Sequence, residues 1–332
     1  MENMYKVGLV YNKPKEMTAE EMELDPRSYR QAEIIAYELK EGFESRGHDV
    51  TMIPASTNLL YEIEQAGPFD VIFNYAVGIN NKSEQANIAG MLELLDIPFV
   101  GSGLLPQVVT MNKEYAKAAF KAAGVPVSPF QTFYSVDTPL DDDLEFPLFV
   151  KPVREGSAVG VTDKSFVENE EELREQIAFI LDNFNQPALV ENFLPGREFS
   201  VGVIGTKNPE TLPILEIVIP EGHGNSQTAE VKADNIVDRQ CPANIPDELA
   251  EKISETVLKA YETAGCSEYA RVDVRLDADG VPNIIEINAI PALEGGYAHY
   301  PVMATTAGYT RATLIEKLVE EAIEAYNNGD II

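Results

Sequence analysis

The chain is poor in the residues that several whole classes of protein require. Its 332 residues include only two cysteines, Cys241 and Cys266. Two such thiols make neither a disulfide framework nor a metal-ligand cluster, so a reducing, cytoplasmic setting is expected. With no partner base evident, both read as small apolar fillers, not nucleophiles. Cations are scarce too: Lys plus Arg number 25 against 55 Asp plus Glu, a formal net charge of −30. A chain of that sign is not expected to coat a nucleic acid, and an anionic ligand must be met by locally placed cations. No apolar run approaches the ~18 residues of a spanning helix, so no membrane partner is expected. The opening MENMYKVGLVYNKPKEM lacks the long apolar core and small-residue cleavage site of a secretion signal. A GxxxxGK run followed by Ser or Thr is absent, and so is GxGxxG after the first strand, where Gly8 stands alone.

What is present is ordinary globular material, 45% hydrophobic and 24% charged, in a chain long enough for two or three domains. The first hundred residues alternate strand-like and helix-like runs: YKVGLVY from Tyr5, a helix with Ile35, Leu39 and Phe43 at i, i+4 and i+8, then strands near Asp49, Phe69 and Pro98. That rhythm implies a parallel sheet in an α/β domain. Beyond Leu104 it changes to an Ala-rich helix over Lys113 to Ala123, the strand-like FPLFVKPV, and a run that reads mostly as hairpins (ALVENFL, REFSVGVIG, LPILEIVIP). Helices over about Asp247 to Ala264 and from Arg311 complete an expected α/β plus α+β chain, divided into 1–104, 105–190 and 191–332.

Three constellations carry chemistry. The pair Arg271-Val-Asp273-Val-Arg275-Leu and Asn283-Ile-Ile-Glu286-Ile-Asn288 reads as two strands joined by a short loop. If Leu276 pairs with Asn283, Asp273 falls opposite Glu286, with Asn288 on the same face and Val272, Val274, Ile285 and Ile287 behind. Opposed carboxylates repel unless a cation sits between them, and such oxygen donors suit Mg²⁺. Read alone, the same hairpin favours the metal, the alternative being a sheet with one solvated face. Second, Lys151 ends a strand and enters a loop containing Glu155, Gly156 and Ser157, where backbone N–H groups can approach an anion; alone, it is also a plain turn. Third, Glu191-Asn192-Phe193-Leu194-Pro195-Gly196-Arg197-Glu198 is a turn whose acids could meet an adenine edge and ribose hydroxyls. Lys113, opening its helix, reads by itself as a solvated lysine.

Taken in order, Lys113, KPVREGSAVG, Glu191 to Glu198, RVDVRLDADG and EIN followed by Pro291 resemble the ATP-grasp superfamily, and within it the D-alanine:D-alanine ligase branch. The likeness runs from GMLELLDIPFVGSG at Gly90 to the C-terminus. It implies an N-terminal Rossmann-like domain and two lobes clamping ATP. Lys113 and Lys151 would contact phosphates, Ser157 would lie over the γ-phosphate, and Glu155 and Gly156 would line the loop. Glu191, Asn192 and Leu194 would meet adenine, and Glu198 ribose. Asp273, Glu286 and Asn288 would hold two Mg²⁺ ions, replaceable by Mn²⁺, and Arg271 would steady the tetrahedral intermediate. The chemistry implied is carboxylate attack on the γ-phosphoryl group, giving an acyl phosphate and ADP, then amine attack giving an amide and phosphate. Small carboxylates and amines are the expected partners, and a homodimer is a possible assembly in this branch.

The amino-acid half departs from that branch. YNKPKEMTAEEMELDP replaces a Gly-Gly signature, and in the run from Asn74 only Glu84 keeps an equivalent acid. Lys232-Ala233 replaces a lysine-tyrosine; Lys232 could reach a phosphate from a lid containing His223. Ala298 stands where a serine would bind the second substrate's carboxylate, beside Tyr297 and His299. His48 reads as a surface loop residue. The expectation is therefore an ADP-forming amide ligase with an acceptor other than standard D-alanine. The alternatives are an authentic D-alanine:D-alanine ligase or a nucleotide-binding protein without turnover.

Overall fold

A computed structural model describes residues 4–13, 28–79, 84–156, 158–218, 237–295 and 298–330. Ser157, His223, Lys232 and Tyr297 lie outside the described residues, so the expectations placed on them rest on sequence alone.

The first sheet follows its hydrophobic pattern. Lys6–Tyr11 (β1) buries five successive residues, as a strand covered on both faces must. It pairs in parallel with Asp49–Pro54 (β2) and Val71–Tyr75 (β3), and β3 with Phe99–Val100 (β4), in the order β2-β1-β3-β4. Parallel neighbours need crossovers, which Ser28–Ser45 (α1), Leu59–Ala66 (α2) and Gln85–Leu92 (α3) supply. The stripe Ile35, Leu39 and Phe43 is buried as its spacing requires, whereas α2 has no counterpart among the expected elements.

Leu104–Met111 (α4) leads into Lys113–Ala123 (α5). Asn112 caps α5 by accepting from Glu114 N and Tyr115 N, and Gly124 ends it at φ 69°, a left-handed conformation glycine adopts without a Cβ clash. The second sheet holds Phe130–Phe133 (β5), Leu148–Pro152 (β6), Phe166–Val167 (β7) and Ala188–Asn192 (β8) in the order β5-β8-β6-β7, with Glu170–Phe184 (α6) packed against it. The third is antiparallel. Glu198–Ile204 (β9) lies between Leu215–Val218 (β11) and Tyr269–Leu276 (β13), with Glu210–Thr211 (β10) also on β9; Asp238–Gln240 (β12) and Pro282–Asn288 (β14) form the two ends. Asp247–Ala264 (α7), His299–Thr306 (α8) and Arg311–Asn328 (α9) complete the described helices.

Three expectations are corrected. ALVENFL and REFSVGVIG are not a hairpin: β8 pairs with β5 and β6, β9 with β10, β11 and β13, so Pro195-Gly196 carries the chain from one sheet to another. A Cβ on Gly196 would lie 2.6 Å from Leu276 O, so the turn is pressed against the end of β13. Second, His48 is buried, stacked on Tyr5 at 5.5 Å, and accepts the Tyr5 N–H at Nδ1 (3.1 Å). It stands in the bend between α1 and β2. Third, Ile284 and not Ile285 packs in the core, because of a bulge described below. The cores join elements far apart in sequence: Leu314, Leu318 and Val319 of α9 share a cluster with Val7, Leu9 and Phe73 of the first sheet, and Ala116 and Phe120 of α5 share one with Val257 and Tyr261 of α7.

Glu268 joins the first and third sheets. It sits at φ +55° just before β13, and its buried carboxylate accepts from Gly101 N (3.2 Å) and the Ser267 hydroxyl (2.9 Å). Burial pushes its pKa up to about 7 in spite of these bonds, and the nearby Glu321 adds to the rise. Ionisation is thus harder folded than unfolded, so this group lowers stability as pH climbs from the ordinary 4.5 to about 7, and the full loss persists above. Glu268→Gln should therefore gain thermal stability relative to wild type between about pH 5 and about pH 8. A stability difference that is flat over that range would contradict it.

Candidate functional site

The site begins with the register of β13 and β14. Near the turn Leu276 pairs with Pro282 and Arg275 with Asn283, one residue away from the register expected from sequence. A bulge between Asp273 and Val274 absorbs the difference, so Asp273 still falls opposite Glu286. The extra residue is Ile285 of β14, which lines the cleft beside Glu286 while Ile284 takes the core position.

Cations answer the opposed carboxylates. Arg271 grips Asp273 through both oxygens, Nε to Oδ1 at 3.0 Å and a terminal nitrogen to Oδ2 at 2.8 Å, and that terminal nitrogen lies 4.0 Å from Glu286. Lys113 Nζ lies 3.4 Å from Glu286 Oε2 and also donates to the Glu155 carbonyl. Asn288 Nδ2 approaches Glu286 Oε1 at 3.5 Å. Ser200, across the sheet on β9, donates its hydroxyl to Asp273 Oδ1 at 2.5 Å.

The second sheet supplies the facing wall. Phe149 pairs with Glu191 and Lys151 with Leu189, so strand parity puts Lys151 and Glu191 on one face. Lys151 Nζ reaches Glu191 Oε1 at 2.5 Å, and Lys117 of α5, 2% exposed, reaches Oε2 at 2.8 Å. Burial alone would raise the Glu191 pKa, but the two lysines override it and hold the carboxyl at about 2. Burial conversely pulls Lys113 and Lys117 down, partly offset by Glu286 and Glu191. In the connecting turn, Glu198 pairs with Arg275 at 3.3 Å, and the Arg275 guanidinium lies over the Phe193 ring at 4.8 Å. The glycine loop is braced from the side: Gln186 donates to Glu155 Oε1 and accepts from Arg154 N, each at 2.7 Å.

Nine of the residues singled out from sequence line this one cleft: Lys113, Lys151, Glu155, Glu191, Asn192, Leu194, Glu198, Asp273 and Glu286. Gly156 sits in the adjoining loop, and Arg271 and Asn288 stand behind the carboxylates. Glu84, at the N-terminus of α3, is not in the cleft wall. Ala298 is buried and His299 is half-buried, its Nδ1 3.2 Å from Ser200 Oγ. Sequence reading missed Lys117 and Ser200, and it gave no role to Phe193 and Arg275, which stand in its motif runs. Lys117 carried a faint signal, since it follows Lys113 by one helical turn and so shares its face. Among the described residues no group of three His, Cys, Asp or Glu could hold a metal ion, so the protein offers two carboxylates and an amide, not a closed cage.

A family model described as "D-ala D-ala ligase C-terminus" matches residues 119–320. The chain is 35% identical to D-alanine–D-alanine ligase A of Salmonella typhimurium over 269 residues, covering 79% of this chain and 72% of that protein. It is 30% identical to an uncharacterized protein, y4sG, of Sinorhizobium fredii over 307 residues, 90% of each. Its fold matches the crystal structure of Bacillus anthracis D-alanine–D-alanine ligase complexed with ATP, with a TM-score of 0.76 at 21% identity, over 98% of this chain and 99% of that one.

Removing one cation from the Glu191 pair tests its wall. Lys117→Met should lower unfolding free energy by roughly 3–5 kcal/mol in urea titrations, the usual loss when one partner of a buried ion pair goes, and Lys117→Arg by less. A change below about 1 kcal/mol for Lys117→Met would show that Lys151 alone satisfies Glu191.

Proposed function

The chain belongs to the D-alanine–D-alanine ligase family of ATP-grasp, ADP-forming ligases, and on that premise we propose that it joins a small carboxylate to an amine acceptor other than standard D-alanine. One observation carries the reading: in a chain of net charge −30, two lysines and two opposed carboxylates line a single cleft between two sheets. Phosphoryl transfer needs positioning and charge neutralisation more than covalent help, and these groups offer both.

In this proposal Lys113 and Lys151 release their carboxylate partners and hold phosphate oxygens, while Lys117 keeps Glu191 charged when Lys151 leaves it. Glu191, Asn192 and Leu194 face the adenine, Phe193 offers a ring to stack on, and Glu198 takes ribose hydroxyls. Asp273, Glu286 and Asn288 fit hard divalent cations such as Mg²⁺ or Mn²⁺. Their donors are all oxygens, both carboxylates face the cleft, and so incomplete a cage leaves coordination positions for phosphate and water. Bound there, the ions would neutralise the transferring phosphoryl group. Arg271 then steadies charge on the tetrahedral intermediate. The glycine loop and Lys232 close over the phosphates in the same reading, and Tyr297, Ala298 and His299 form the acceptor side. Ala298 brings a buried methyl group, not a hydroxyl, which favours a different acceptor. The second reading, D-alanine as both substrates, is supported by the names of the Salmonella and other relatives.

Incubation with ATP, Mg²⁺ and D- and L-amino acids, singly and in pairs, with phosphate release and product mass recorded, separates these readings. At least one pair should release phosphate with a matching amide product. Asp273→Asn or Glu286→Gln should cut that release by roughly 100-fold or more, equivalent to about 2.7 kcal/mol of barrier. Phosphate release with no pair tested would remove the ligase reading, and full turnover in either variant would remove the metal assignment.

A further inference from the structure

A second cavity, of about 480 Å³, shares no lining residue with the cleft. It lies where α1, α8 and α9 meet the segment that runs on from Asn288. Leu39, Leu293, Leu314 and Ile315, each 3% exposed or less, make its floor, while Thr305, Thr306 and Thr310 are exposed and make its rim. Interiors are close-packed, and a void of roughly 150 Å³ already holds a benzene ring. Apolar walls of this extent, with a few polar groups at one edge, are those of a small-molecule site.

One charged side chain enters this wall, Arg311 at the start of α9. Its terminal nitrogen lies 2.8 Å from Glu38 Oε2 on α1, and both side chains are 35% exposed, so the pair stands at the solvent edge of the floor. The two are close without being aligned as a hydrogen bond: Glu38 Oε2 is buried and accepts from no donor among the described residues. Glu38 is also the one partner of Arg311 among them, which leaves most of the five N–H groups of the guanidinium for other acceptors. A Cβ on Gly295 would collide with that guanidinium, so the glycine lets the wall close against it. Paired, the two charges cancel, and in a chain of net charge −30 a lone anion gains no wider attraction. The complement of an acid and a base held side by side is a molecule that carries both signs side by side.

We propose that this cavity binds a free α-amino acid with a large apolar side chain, of the leucine or phenylalanine kind. At neutral pH such a molecule carries a carboxylate and an ammonium group on one carbon. The carboxylate takes N–H groups of the Arg311 fork, and the ammonium donates to Glu38. The side chain lies on Leu39, Leu293, Leu314 and Ile315. Both polar ends are then engaged, in a wall that shares none of the cleft's residues, so the molecule held here is a resident ligand and not a reactant.

Calorimetric titration of the full chain without nucleotide tests this. The probes are the D and L forms of leucine and phenylalanine; the comparisons are alanine, isocaproate and isoamylamine, which lack the large side chain, the ammonium and the carboxylate in turn. At least one probe should bind, and each comparison should bind at least about tenfold more weakly, the loss expected when one such contact goes. Arg311→Gln and Glu38→Gln should each weaken the best probe by about tenfold or more, and Arg311→Lys by less. Thr305→Trp, on the exposed rim, fills the cavity without removing either charge and should abolish binding, so the test holds even where a charge variant fails to fold. No binding by any probe, comparisons within about twofold of the best probe, or wild-type binding in Thr305→Trp would overturn the proposal. So would appearance of the bound probe in an amide product whose formation Thr305→Trp prevents, since the cavity would then hold a reactant. The titration needs no turnover, so a failed ligase assay and a failed binding site are told apart.

Discussion

Carboxylates cannot be drawn together out of water unless cations come with them, and the cleft is organised by that constraint. Glu191, Asp273 and Glu286 carry charge that a low-dielectric wall would reject, and each is answered at short range: Glu191 by Lys117 and Lys151, Asp273 by Arg271, Glu286 by Lys113. Much of the local architecture follows. Asn112 caps α5 so that Lys113 and Lys117 project from one helical face, strand parity sets Lys151 beside Glu191, and a bulge restores the opposition of Asp273 and Glu286.

The same pairing gives the cleft its chemical character. Cations held by carboxylates are preorganised without a ligand, and in the proposed function a polyphosphate with its metal ions would present the complementary charges for an exchange of partners. Glu191 is flanked by two lysines, so in the proposed function, where Lys151 turns to a phosphate, Lys117 would still keep the acid ionised. These groups stand on two different sheets, joined by the Pro195-Gly196 crossing.

The legibility of these features in the sequence tracks how local their causes are. Strand alternation is local, so Asp273, Glu286 and Lys151 were readable, and so was the helix that presents Lys113. The opposition of Asp273 and Glu286 was reached through a register that is off by one at the turn; the bulge conceals the error at the carboxylates and exposes it at Ile285. Lys117 in an Ala-rich helix looks like a solvated lysine until β8 brings Glu191 against it. Ser200 is one hydroxyl in an apolar strand, and its role follows only from the pairing of β9 with β13, about seventy residues apart. The crossing at Pro195-Gly196 read as a hairpin turn because local turn chemistry does not reveal which sheet receives the next strand.

In the proposed function, the cations now holding Asp273 and Glu286 keep a place for divalent metal and phosphate. The most direct measurement is a crystal structure with Mn²⁺ and a non-hydrolysable ATP analogue, with anomalous differences recorded to locate the metal. The expected result is anomalous peaks beside Asp273 and Glu286, the analogue's phosphates against Lys113 and Lys151, and an opened Arg271–Asp273 pair. Nucleotide bound with no peak at those carboxylates, and with the Arg271–Asp273 and Lys151–Glu191 pairs intact, would contradict it.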